Sequence, residues 1–226
     1  EGDAMIKYHD DLIQGSDEWH AARCGLLTAS EVKLILTPTM KIANNDKTRA
    51  HVYEIAAQRI TGYTEPSYIG DDMLRGWDDE ITARDLYSQH RAEVTEVGFI
   101  TNDHWGFTLG YSPDGMVGDD GLIEIKSRRQ KFQAETIIKM EVPEEYQLQL
   151  QTGLMITGRK WIDFISYSGG MPMVIIRVLP DPVMQAAIIA AASDFEAKVE
   201  AGMLDYRVNS AGMIMTERKI EQEMHT

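Results

Sequence analysis

Apolar positions recur along this chain with two different periods. DKTRAHVYEIAAQRI (46–60) carries them at helical spacing and stops at Gly62, so it predicts a helix. DDMLRGWDDEITARDLYSQHR (71–91) predicts a second, longer one. Between 94 and 127 strand-like runs take over. VTEVGFIT (94–101) and WGFTLGY (105–111) are rich in β-branched and aromatic residues, and GLIEIKS (121–127) alternates strictly. QKFQAETIIKM and PEEYQLQLQTGLMIT return to helical spacing, with Pro143 suited to a first helical turn. KWIDFISYS and PMVIIRVLP predict two more strands about a Gly-Gly turn, and DPVMQAAIIAAASDFEAKVEAGM a long closing helix. Ahead of all these, Ser16 is placed to cap a short helix closed by Arg23 and Gly25. Ser30 is placed to cap another over EVKLILT, and 37–46 predicts a loop. Helices, three strands, helices, two strands and a helix make an α/β fold with one central mixed sheet flanked by helices.

The chain has 226 residues with 43% hydrophobic and 26% charged, enough for a substantial core, and no repeat or linker divides it. One domain over 1–226 is expected, with N-terminal helices at 15–91, a sheet and helices at 94–204, and a tail at 205–226. No run of about 18 apolar residues is present, so no membrane span is expected. The first residues, EGDA, precede a methionine, so the native start is expected at Met5 or further upstream. A single cysteine, Cys24, excludes an internal disulfide framework and suits a reducing cytoplasm. Six histidines are scattered without metal-binding spacing. The net charge of −14 weighs against a protein that coats nucleic acid. Bound divalent cations or a locally basic channel would reverse that locally.

The stretch YSPDGMVGDDGLIEIK (111–126) holds the candidate chemistry. Pro113 suits the second position of a type I turn, with Asp114 following it and Gly115 fourth. A hairpin about GDDG then brings Asp114 close to Glu124. Strand alternation puts Glu124 and Lys126 on one face and Ile123 and Ile125 on the other. Two adjacent carboxylates repel unless a cation holds them, and a hard cation such as Mg2+ takes oxygen ligands, the Ile125 carbonyl among them. Lys126 would lie beside the metal-bound water, to orient it, to take its proton if its own pKa is lowered, or to steady developing negative charge. A surface hairpin with solvated acids and a cross-strand salt bridge explains the same residues, and a lone D…ExK does not separate the two.

Four ordered stretches do separate them. GSDEWHAARCGLLTASEV (15–32), GWDDEITARDLY (76–87), SPDGMVGDDGLIEIK (112–126) and YQLQLQTGLMITGRKW (146–161) together resemble the lambda-type phage alkaline exonucleases, the YqaJ-like viral recombinase family of the PD-(D/E)xK nuclease superfamily. The resemblance implies the restriction-endonuclease-like core and a 5′→3′ exonuclease that digests one strand of duplex DNA to 5′ mononucleotides. It implies two Mg2+ ions per site, with Mn2+ as the alternative metal. Asp114 would bridge them, with Glu124, the Ile125 carbonyl and Glu80 completing the set; Lys126 and Gln149 would serve catalysis. Trp19, Arg23, Thr28 and Ser30 would form a pocket for the terminal 5′ phosphate, with Lys41 and Gln151 as further DNA contacts. Glu80 shares a helix face with Gly76 and Trp77, both expected to be packing positions. The resemblance further implies a homotrimer ring threaded by DNA ends, a single-strand annealing recombinase as partner, and a phage or prophage gene expressed in bacterial cytoplasm. An endonuclease on the same core, a silent DNA-end-binding subunit and an unrelated acidic α/β protein remain the rival readings.

Overall fold

The computed structural model describes residues 6–67 and 69–219; the Met5 start and the end of the tail lie outside them. Among the described residues, eight strands and six α-helices come in the order β1 (Ile6–His9), α1 (Asp17–Arg23), β2 (Leu27–Thr28), a 3₁₀ helix (Ala29–Leu34), α2 (Asp46–Thr61), α3 (Asp71–His90), β3 (Phe99–Asn102), β4 (Leu109–Tyr111), β5 (Gly115–Val117), β6 (Gly121–Ser127), α4 (Gln130–Lys139), α5 (Glu144–Thr157), β7 (Trp161–Tyr167), β8 (Val174–Val178) and α6 (Pro182–Asn209). The long elements fall where the periodicity places them. Asn45 caps α2 through its side chain, and Gly62 closes it in the left-handed region that costs glycine least.

The mixed sheet is divided in two, where one sheet was expected. β1-β3-β4-β2 form the first and β5-β6-β7-β8 the second. Each contains one parallel pair, β2 with β4 and β6 with β7. The β6–β7 pair needs a long crossover, and α4 and α5 supply it. β1 and the two-residue β2 have too few residues to show a period, so the hydrophobic pattern does not reveal them. The expected strands at 94–101 and 105–111 shrink to 99–102 and 109–111, because of the earlier residues only Thr95 pairs, in a single bridge to Met116.

Both faces of the second sheet are covered. Ile123, Ile125 and Ile165 pack with Ala83 and Tyr87 of α3. Leu122, Ile162 and Phe164 face the larger core, built with α2, α5, α6 and the 3₁₀ helix. The Glu124 face is therefore the interior face of the main core, not a polar exterior. Within α3, Ala83 and Tyr87 are buried while Trp77 is 49% exposed, so the packing stripe runs one turn later than expected. Between α2 and α6, the Arg59 guanidinium grips both Glu196 oxygens at 2.8 and 2.9 Å. The same side chain donates from Nε to the Gly25 carbonyl, tying the end of α1 to both helices.

Candidate active site

The site is built where the chain leaves one sheet for the other. Residues 112–114 connect β4 to β5, and each is held by a different element. Ser112 Oγ accepts from Trp19 Nε1 at 3.1 Å and Arg23 Nη1 at 3.3 Å. The Pro113 carbonyl accepts from Gln14 Nε2 at 2.9 Å. The Asp114 carbonyl accepts from Arg84 Nε at 2.8 Å. SPDG is thus a strapped bend between sheets rather than the expected type I turn. The reversal falls at Gly118–Asp120, where Gly118 takes φ +53°.

Asp114 does meet β6. Gly115 pairs with Ile123, and one step further the backbones part. The Ile125 N–H, left without a strand partner on that edge, donates to Asp114 Oδ2 at 2.6 Å. In a strand the N–H and C=O of one residue point to the same edge, so the Ile125 carbonyl is turned toward Asp114 as well.

Glu124 is 2% exposed and fully engaged. Its Oε2 accepts from the Tyr111 hydroxyl at 2.9 Å. Its Oε1 accepts from Lys126 Nζ at 2.9 Å and Gln149 Nε2 at 2.7 Å. Lys126 also donates to Gln149 Oε1 at 3.0 Å, so acid, amide and ammonium close a triangle. Gly153 is what lets this happen. A Cβ there would lie 2.7 Å from the Tyr111 ring, so the glycine one turn beyond Gln149 makes room for the phenol that holds Glu124.

The charges in this space are strongly coupled. Burial, then the Glu124 and Glu80 charges, push the Asp114 carboxyl well above the usual range. Burial and the Glu124 and Asp114 charges do the same to the Tyr111 phenol, which stays a donor. Burial alone would lower Lys126, but Glu124 and Asp114 outweigh it and its pKa rises. With no cation beside it, Lys126 is therefore held as an ammonium by these two acids. Burial also raises Glu80, with Arg84 opposing and Glu124 adding to the rise.

Glu80 is turned to Arg84, one helical turn on, which also reaches Glu96. Among the described residues no three acidic, imidazole or thiol side chains already surround one point. The donor chemistry nonetheless fits a hard cation: two close carboxylates, a strand carbonyl on the same edge, and Glu80 once it leaves Arg84.

Of the other expected contacts, Trp19, Arg23 and the unforeseen Ser112 come together, with the Arg23 guanidinium 4.1 Å over the Trp19 ring. Burial lowers the Arg23 pKa and Glu31 partly restores it. Thr28 is 3% exposed and itself precedes the 3₁₀ helix, with its N–H donating to Glu31. Thr28, not Ser30, is the cap, and burial removes it from contact with DNA. Ser30 is exposed on the first turn, 3.4 Å from the Thr28 hydroxyl. Lys41 is exposed in a tight turn closed by Thr37, and its hydrogen bonds among the described residues go to Thr37 rather than to these residues.

Gln151 is a correction. It is 2% exposed, donates to the Leu179 carbonyl and accepts from Asp181 N–H and Gln185. It locks α5 to the start of α6, away from Lys126, because two residues along a helix turn the side chain by about 200°. Tyr111, Ser112 and Arg84 are the site residues that sequence reasoning missed. Arg84 alone carried a visible sign, lying four residues after Glu80.

The YqaJ-like viral recombinase domain model matches residues 18–160, more than half of the chain. The alkaline exonuclease of Laribacter hongkongensis, known alone and in complex with dAMP, is 35% identical. The match covers 88% of this chain and 100% of that one, with a TM-score of 0.78. A phage-related exonuclease from Haemophilus somnus is 15% identical, with a TM-score of 0.52, 79% of this chain covered and 96% of that one; it shows likeness of fold alone. No curated protein matches by sequence.

Proposed function

Because the chain belongs to the YqaJ-like viral recombinase domain family, and is a nuclease of alkaline-exonuclease type, we propose that it digests one strand of duplex DNA from the 5′ end. The products are 5′ mononucleotides and a 3′ overhang for a single-strand annealing partner. The observation that carries this reading is Glu124, buried and held by Tyr111, Lys126 and Gln149, beside an Asp114 strapped to the Ile125 amide. A solvated surface hairpin has no use for such a network, since each buried charge costs free energy unless it is met by donors. The dAMP bound by the Laribacter relative, a deoxynucleoside monophosphate, supports the product class.

Asp114, Glu124, the Ile125 carbonyl and a released Glu80 would hold Mg2+ or Mn2+, which when bound supplies Lewis-acid polarisation and a hydroxide nucleophile. Lys126 presents its ammonium to a phosphate oxygen or to the attacking water. Gln149 fixes Lys126 and Glu124 relative to each other, and Tyr111 stops Glu124 from turning. Arg23, flat on Trp19 and bonded to Ser112, is the anchor for a terminal 5′ phosphate, and a guanidinium suits that role. A homotrimer ring reconciles the charge of −14 with DNA, since only the channel need be positive.

The test is linear duplex labelled at either end, incubated with and without Mg2+ and scored for mononucleotide release. Release should start at the 5′ label, need the metal, and vanish in Asp114→Asn, Glu124→Gln and Lys126→Ala. Wild-type rates in any of these variants remove its assigned role. Cleavage of closed circular DNA would move the reading to an endonuclease.

A further inference from the structure

Beyond the catalytic triangle, β6 is followed by an arginine that the proposed chemistry does not use. Arg128 is 8% exposed, and its Nη1 is buried without a hydrogen-bond partner. Carboxylate oxygens satisfy Arg59 and Arg84 elsewhere in the chain, whereas no carboxylate of the described residues bonds to Arg128. Its guanidinium lies 5.2 Å from the Tyr146 ring and 5.4 Å from the Phe132 ring, which fix its direction. It lines an open cavity of about 450 Å3 with Arg75, Asp79, Arg129, Gln130 and Gly169.

The first turn of α4 opens on the same cavity. Arg129 is its N-cap and offers no side-chain acceptor, and no acid stands in the first turn. The N–H groups of Gln130 and Lys131 therefore lack an intrahelical acceptor. A ten-residue helix with free amides, next to a buried unpaired guanidinium, is a site made for an anion. Asp72 occupies Arg75 and Arg129, at 2.9 and 3.0 Å, and Asp79 accepts from Ser127. Among the described residues Arg128 is left without a hydrogen-bonded carboxylate, and Glu135 of α4 acts on it only through the field.

Lys126 stands 5.3 Å from the same Tyr146 ring. Arg128 and the catalytic ammonium thus approach the same ring, which brings the cavity close to the active site. We propose that Arg128 and the N-terminus of α4 bind a backbone phosphate of the DNA strand next to the scissile one, a proposal that rests on the nuclease reading. Its purpose would be grip between turnovers. The terminal phosphate is lost with each product, but a neighbouring backbone phosphate is always present.

The experiment uses full-length Asp114→Asn protein, which should bind but not cut, with and without Arg128→Met. Methionine keeps the stem between Phe132 and Tyr146. Affinity for linear duplex is measured against salt. The Arg128 change should weaken binding about tenfold or more at fixed salt and lower the log–log salt slope by about one. In the Asp114→Asn protein alone, duplexes carrying a single methylphosphonate are scanned position by position. One neutralised position near the end should reproduce the loss, and should add nothing in the double variant. This scan decides the matter even if Arg128→Met does not fold. An unchanged salt slope, or a scan with no sensitive position beyond the terminal phosphate, overturns the proposal. So does dAMP or inorganic phosphate binding that depends on Arg128 while duplex binding does not, since the site would then hold product. Wild-type digestion with Mg2+ is run alongside, so that failure of the nuclease reading is seen separately.

Discussion

Replacing Tyr111 by phenylalanine removes a single oxygen from the deepest part of the site. The ring is 1% exposed and is met by Gly153 on one side, so phenylalanine keeps its packing. What is lost is the hydrogen bond to Glu124 Oε2, the one donor that reaches that oxygen among the described residues. A hydrogen bond to a charged group is worth about 1.5–3 kcal/mol, and an orphaned buried acceptor keeps its desolvation cost. Lys126 and Gln149 still hold Oε1, so the carboxylate stays paired but can pivot. We expect the free energy of unfolding in urea to fall by about 2 kcal/mol with an unchanged m-value. Digestion of linear duplex should slow at least tenfold, since a pivoting carboxylate no longer fixes its neighbours. A stability loss below about 0.5 kcal/mol together with an unchanged rate would refute the claim that the phenol orients Glu124.

Three further outcomes are expected. Arg23→Ala should slow digestion of ends carrying a 5′ phosphate and leave unphosphorylated ends little changed; equal loss on both counts against the anchor. Glu196→Ala should destabilise the protein by about 3 kcal/mol by stranding Arg59, whereas Arg59→Met with Glu196→Leu should recover most of it, as read by urea denaturation. In chelator, stability should fall as pH rises from about 4, because Asp114 in the fold keeps a proton that the unfolded chain has released. The slope is about 1.4 kcal/mol per pH unit until the raised pKa is passed, and Asp114→Asn should be flatter by that amount. Identical slopes would show that Asp114 is not perturbed.

The long helices and the strands at 121–127, 161–167 and 174–178 were legible because their periods run for several residues. Asp114 meeting Glu124 was readable from hairpin pairing alone. The division into two sheets was not legible, since it depends on where backbone pairing stops, at Gly115, and residue type does not mark that point. That the Glu124 face is an interior face was hidden for a related reason. Alternation shows that two faces differ but not that both are covered, and here isoleucines and glutamate each point into a core. Gln149 and Gln151 look alike on paper; only the packing of α5 sends one to Lys126 and buries the other against α6. Ser112 and Tyr111 were hidden because their partners lie 89 and 13 residues away.

The strap between the sheets acts as a ruler. Ser112, bonded to the Arg23 anchor, and Asp114, bonded to β6, are two residues apart along the chain, a span of at most about 7 Å. That interval is covalent, so no breathing of the domain can lengthen it. On the proposed reading, the backbone itself limits how far end recognition can stand from cutting, and inserting one residue between Ser112 and Asp114 would uncouple the two while sparing every side chain involved.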